Sequence, residues 1–190
     1  MNDRRMIYLD TNILVSMLTE DALSARAIEW FESQVEPLAI SAWVCTEFNA
    51  VAGLRKRKRE LSAAIANMAI ETLRERAEKN FLMLNISNEA VILAASWLRN
   101  TDCTLQTSDA LHLAIAHAAG ATALVTCDER FAKAAQKLKL ANLKIVLIGG
   151  KVRRAEQTRT AYKVAKPTKR AAAVETTITP TKKTKRLIKM

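Results

Sequence analysis

The sequence is short of what a secreted or membrane protein needs. It has three cysteines, Cys45, Cys103 and Cys127, an odd number with no C-x-x-C pair. That argues against a disulfide framework or a zinc ribbon and suits a reducing compartment, so a cytoplasmic location is expected, with the thiols as small core residues. The apolar run in MNDRRMIYLD is too short for a secretion signal. Uncharged runs are short too. The stretch from Ala110 to Cys127 reaches 18 residues but is rich in alanine and contains His112, His117, Gly120 and two threonines. It reads as a buried helix, a stop at Gly120 and a buried strand, and no membrane association is expected.

An excess of one charge is absent from most of the chain as well. Residues 151–190 hold 13 of the 30 Lys and Arg but 2 of the 19 Asp and Glu, so they carry the whole net charge of +11. The first 150 residues are formally neutral. Attraction to polyanions therefore belongs to an extension and not to the folded surface. That extension is built of Lys, Arg, Thr, Ala and Pro with no sustained apolar period, and a disordered basic tail is expected over 151–190 after one folded domain over 1–150. Its single aromatic, Tyr162, offers little for base stacking, so any nucleic-acid contact there is expected to be electrostatic.

What is present is alternation. Met6 to Leu9 reads as a strand and Asn12 to Leu18 as a helix. LSARAIEWFESQ over 23–34 is amphipathic, and LAISAWV after Pro37 is a strand leading into a helix from about Trp43 to Leu54. The basic run RKRKRE over 55–60 reads as a solvated face or helix end, followed by a helix over 62–78. FLMLNI, NEAVILAASWLRN, SDALHLAIAHAAG, ALVTC, ERFAKAAQKLKL and KIVLIGG then read as strand, helix, helix, strand, helix and strand. Short apolar strands alternating with helices predict an α/β fold, a three-layer α/β/α sandwich around a mainly parallel sheet. Sites in such sheets form at the carboxyl ends of the strands.

Four carboxylates fall where that edge should be. Asp10 follows the first strand and Asp128 follows ALVTC in the same way. Glu47 has Val44 at i−3 and Val51 at i+4, which puts it on an apolar stripe. Asp109 has Leu113 at i+4 and Ala116 at i+7 and faces inward at the start of its helix. Each has an ordinary role open to it alone: Asp10 and Asp128 as turn or cap residues, Asp109 as a first-turn residue on the helix dipole, Glu47 tipped outward. Together they would repel one another unless cations neutralise them, and hard divalent ions such as Mg²⁺ or Mn²⁺ suit an all-oxygen set. His112 and His117 lie inside an alanine-rich helix and are assigned structural or surface roles, with no histidine expected as a ligand.

These pieces resemble PIN-domain ribonucleases, in particular the VapC-type toxins of toxin–antitoxin pairs. The matching segments are YLDTNIL, SAWVCTEFNAV, TSDALHLAIAHAAGA and LVTCDERFAKAA, and the resemblance covers residues 6 to about 148. It implies a PIN-like nuclease domain that cleaves RNA with Mg²⁺ or Mn²⁺, is usually a homodimer, and is held inactive by a cognate antitoxin. It also implies that Asp10, Glu47, Asp109 and Asp128 form a catalytic, metal-holding quartet, with Asn12 and Thr126 as supporting polar residues. The basic extension departs from the family's usual plan; an added nucleic-acid handle, a tail for another partner and the by-product of an altered reading frame are all open. One alternative is a PIN-like module that binds nucleic acid without chemistry, but clustered negative charge serves a polyanion binder poorly. A phosphatase of the haloacid dehalogenase type would need an aspartate where this chain has Asn12.

Overall fold

A computed structural model describes residues 5–99 and 104–149, all within the first of the chain's two units, Met1–Val152. Cys103 and the expected tail over 151–190 lie outside the described residues. The order of elements is β1 (Ile7–Leu9), α1 (Thr11–Leu18), α2 (Ser24–Glu32), β2 (Leu38–Ser41), α3 (Ala42–Arg57), α4 (Ala63–Lys79), β3 (Leu82–Leu84), α5 (Asn88–Leu98), α6 (Thr107–Ala118), β4 (Ala123–Thr126), α7 (Glu129–Lys137) and β5 (Lys144–Leu147). The alternation expected from the sequence is the alternation observed.

The five strands form one parallel sheet in the order β3-β2-β1-β4-β5, sandwiched between helices. Parallel neighbours need crossovers, and the helices supply them while covering the apolar faces of the sheet. The three inner strands are the most apolar and the most enclosed: Ile7–Leu9, Leu38–Ser41 and Ala123–Thr126 are buried along their whole length. The edge strand β3 leaves Leu82 and Met83 exposed. Full burial of a side chain such as Leu9, Ile13 or Ile40 is worth about 1.5–3 kcal/mol, so the centre of the sheet carries most of the stability.

The strand order matters for function. From β1 the chain steps outward through β2 to β3 and then returns to β4 on the opposite side of β1, with Tyr8 in register with both Ala39 and Leu124. Beside β1, where the direction of winding reverses, the carboxyl ends of β1 and β4 lie together, the position at which open α/β sheets form clefts.

Local signals set the helix ends. Ser62 and Ser87 each cap a helix by accepting from the backbone N–H three residues on, in α4 and α5. α6 ends in a Schellman motif: Ala121 N–H donates to the Ala116 carbonyl and Gly120 N–H to that of His117. Gly120 takes φ +69, which a side chain would resist, and so turns the chain into β4. The uncharged stretch from Ala110 is thus a buried helix, a glycine stop and a buried strand, and among the described residues no helix is long and apolar enough to cross a membrane.

Some boundaries differ from expectation. The second strand stops at Ser41, because the backbone turns helical at Ala42 and α3 then runs to Arg57. Arg55, Lys56 and Arg57 therefore form the last turn of α3, where cations meet the negative end of the helix dipole. Cys45 and Cys127 are free thiols, half-buried where full core positions were expected, because each sits at a rim: Cys45 on α3 and Cys127 between β4 and α7.

Candidate active site

Asp10 sits at the carboxyl end of β1 and is almost fully buried. It caps α1, its Oδ1 accepting from the Thr11 backbone N–H at 2.7 Å. Its Oδ2 accepts from the Thr126 hydroxyl at 2.7 Å and from the Asn12 amide at 3.2 Å. Asp10 is thus a helix cap and a member of the site at once. Thr126 ends β4, and its hydroxyl oxygen also accepts the Asp128 backbone N–H at 2.9 Å, so one side chain ties together the ends of two strands. Burial pushes the Asp10 carboxyl above its ordinary range, against the opposing pull of His112 and the bonds from Thr126 and Thr11.

Glu47 reaches the same place from α3, inward as its spacing implies. Its Oε2 accepts from the Thr11 hydroxyl at 2.6 Å and meets His112 Nε2 at 2.5 Å, while Oε1 accepts from the Ser108 hydroxyl. Burial alone would raise this carboxyl. The hydrogen bond and charge of His112 outweigh it, with Ser108 and Thr11 assisting, and the pKa falls to about 2. Glu47 is held ionised.

His112 is the residue that sequence reasoning misplaces. It is fully buried, and its Nε2 lies 2.5 Å from Glu47 Oε2, 3.3 Å from Thr11 Oγ1 and 3.4 Å from Asp10 Oδ1. Its Nδ1 is 3.0 Å from the Tyr8 hydroxyl, which is 2.9 Å from the Ser41 hydroxyl. The Tyr8 hydroxyl thus bridges His112 and Ser41 within the buried network. A signal for it does exist: His112 is at i+3 from Asp109, on the face of α6 that Leu113 and Ala116 mark as inward. His117 behaves as expected, partly exposed and edge-on to Trp97 at 6.3 Å.

Asp109 and Asp128 flank this centre from the first turn and the cap of two helices. Asp109 is half-buried in the first turn of α6 and accepts from the backbone N–H of the cap residue, Gln106. Burial lifts its carboxyl to about 6, eased by that bond and reinforced by the charges of Asp10 and Asp128. Asp128 caps α7, its Oδ1 accepting from the backbone N–H groups of Arg130 at 2.7 Å and Phe131 at 3.1 Å.

The donor set fits a divalent ion. One atom each from Asp10, Glu47 and His112 lie within 4.8 Å of one another, and the repulsion felt by Asp109 marks negative charge that a cation would relieve. Two carboxylates with one imidazole admit Mg²⁺ or Mn²⁺, the latter tolerating nitrogen better.

A family model described as PIN domain matches residues 7–137, which takes in all four carboxylates and His112. The chain belongs to the PIN-domain family. Ribonuclease VapC35 of Mycobacterium tuberculosis is 31% identical over 140 residues, covering 72% of this chain and 94% of that protein. Two solved structures share the PIN fold. VapC20 of M. tuberculosis, described as a Sarcin-Ricin loop cleaving toxin, has a TM-score of 0.55 at 17% identity, covering 73% of this chain and 98% of that one. VapBC-5 of M. tuberculosis, a member of the VapBC family of toxin-antitoxin systems, has a TM-score of 0.51 at 16% identity, covering 75% and 98%. The match to this PIN domain leaves the basic tail outside.

Proposed function

We propose that this PIN-domain protein is a divalent-metal-dependent endoribonuclease, the toxin of a VapBC-type toxin–antitoxin pair. The observation that carries the reading is the enclosed Asp10–Glu47–His112 cluster, flanked by Asp109 and Asp128, in a chain 31% identical to a ribonuclease over most of its length. Asp10, Glu47, Asp109 and Asp128 would hold Mg²⁺ or Mn²⁺, with His112 adjoining them. Such an ion supplies Lewis-acid stabilisation of charge growing on a phosphodiester and a bound water of lowered pKa.

The chain's own residues supply order. Thr126 and Asn12 fix the Asp10 carboxylate, and Thr11, Ser108 and His112 fix that of Glu47, so both are preorganised before substrate arrives. Asp109 would offer its carboxylate to the ion from the first turn of α6. The Thr11 and Ser108 hydroxyls are committed as donors to Glu47 and are not free as nucleophiles. In this reading water is the nucleophile and no covalent enzyme intermediate forms.

A cytoplasmic homodimer, silenced by a protein antitoxin, completes the proposal. The test is cleavage of a mixed RNA pool with Mg²⁺, Mn²⁺ or EDTA, beside Asp10→Asn and Asp128→Asn. Cutting that needs metal and is lost in both variants is expected. Tight binding of RNA with no cutting under any metal would favour the binding module instead.

A further inference from the structure

Beside the acidic centre the surface carries a feature that the proposed chemistry leaves unused. α7 buries Phe131, Ala132, Ala134 and Ala135, which turns Arg130, Lys133, Gln136 and Lys137 outward. Those four and Thr104 line one open groove of about 690 Å³. The three cations stand at i, i+3 and i+7, a single ridge about 10 Å long on an α-helix. Both walls begin at the site: Asp128 caps α7 two residues before Arg130, and the segment from Thr104 leads through Gln106 into the first turn of α6, which holds Asp109. Positive charge thus runs outward from where negative charge is concentrated. Glu129 pairs with Lys133 at 2.6 Å, but both ends are exposed, so the pair is weak and Lys133 can turn to another anion at little cost.

We infer that this groove is the track for the sugar–phosphate backbone of a single RNA strand passing to the acidic centre. Arg130, Lys133 and Lys137 meet its phosphates, and Gln136 and Thr104 offer hydrogen bonds to its ribose hydroxyls. The inference rests on the ribonuclease reading for the identity of the strand. Among the described residues no aromatic side chain lines the groove, so these residues hold the backbone and do not stack bases: they contribute affinity and alignment, not sequence choice.

The experiment is binding of a short labelled single-stranded RNA to the full chain in EDTA, by fluorescence anisotropy across a salt series. The groove triple variant Arg130→Ala, Lys133→Ala, Lys137→Ala is compared with a charge-matched control, Lys56→Ala, Arg57→Ala, Lys58→Ala. The tail is present in both and cancels. Alanine is the best helix former, and circular dichroism checks that α7 persists; the single Arg130→Gln gives a milder second variant. The groove triple is expected to bind about tenfold more weakly or worse, with the slope of log affinity on log salt reduced by about 2, and Arg130→Gln by about 0.7. Equal losses in the two triples, or an unchanged slope in the groove triple, would overturn the track. Cleavage by the parent with Mn²⁺, run in parallel, separates the two readings. A parent that cuts while the groove triple binds normally retires the groove alone; one that binds through the groove and cuts nothing retires the nuclease.

Discussion

Glu47 is held by side chains from other elements, and Asp10 adds the Thr126 hydroxyl to the bonds of its own helix, whereas Asp109 and Asp128 receive backbone N–H bonds at the starts of their own helices. The inner pair gathers Thr11, Asn12, Ser108, His112 and Thr126, drawn from α1, α6 and β4. The outer pair gathers Gln106, Arg130 and Phe131, each within three residues. The inner carboxylates are therefore fixed in part by tertiary structure, and the outer ones by local helix geometry that leaves oxygens to spare. A site needs both kinds: groups whose position is set beforehand, and groups with unused bonding capacity to give to an ion or a proton.

The largest effect expected is on catalysis. Asp10→Asn should lower the cleavage rate by about a thousandfold or more, the equivalent of the several kcal/mol that a divalent ion supplies, with an unchanged circular dichroism spectrum. A variant as active as the parent would remove Asp10 from the chemistry. Stability should divide the pairs next. His112→Ala opens a cavity and strips partners from Glu47 and Tyr8, which should cost about 2–4 kcal/mol in urea unfolding, against about 1 kcal/mol for loss of the Asp128 cap in Asp128→Ala. Equal losses would erase the distinction between tertiary and local anchoring.

Tyr8→Phe probes the inner pair more gently. It keeps the ring and removes the hydroxyl between His112 and Ser41, at a cost of about 1 kcal/mol. Because His112 would lose its brace, Mn²⁺ affinity measured by calorimetry should fall by up to about tenfold. Unaltered affinity would make the Tyr8–Ser41 link a matter of packing only.

The smallest effect is a slope against pH in metal-free protein. Asp109 titrates near 6 when folded against an ordinary 3.8, so the folded state binds the extra proton between those values, and its contribution to stability falls as pH rises through that window. Glu47 has the opposite sign. Its pKa is lowered from 4.5 to about 2, so its contribution is complete above 4.5 and is lost as pH falls towards 2. Asp109→Asn should flatten the first slope and Glu47→Gln the second, read from urea midpoints in EDTA. A slope between pH 4 and 6 that survives Asp109→Asn would move the outer titration to another group.

Much of this is legible in the residues. Asp10 and Asp128 can be placed because a strand's end is marked by where its apolar run stops, and Glu47 because a charge on an apolar stripe is costly unless a site or a partner receives it. His112 escapes such reasoning because the helix around it is rich in alanine, whose small side chains blur the line between inner and outer faces. The end of α3 is hidden for a related reason: in the run from Arg55 charge suggests a boundary, while helix propensity carries the chain on to Arg57. Strand order is not written locally at all. That β4 returns to lie beside β1, putting Thr126 against Asp10 across 116 residues, depends on which crossovers pack best over the whole sheet.

That long return also times the appearance of the site. Chains emerge from the ribosome amino end first, and Asp10 and Glu47 are made early, but Thr126 and Asp128 are among the last residues of the PIN domain to be synthesised. Until β4 inserts beside β1, Asp10 lacks the hydroxyl that holds it and the cleft has one wall. The cleft is therefore complete only once the chain has been made through Asp128, and the early-made Asp10 and Glu47 wait on β4 to become a site.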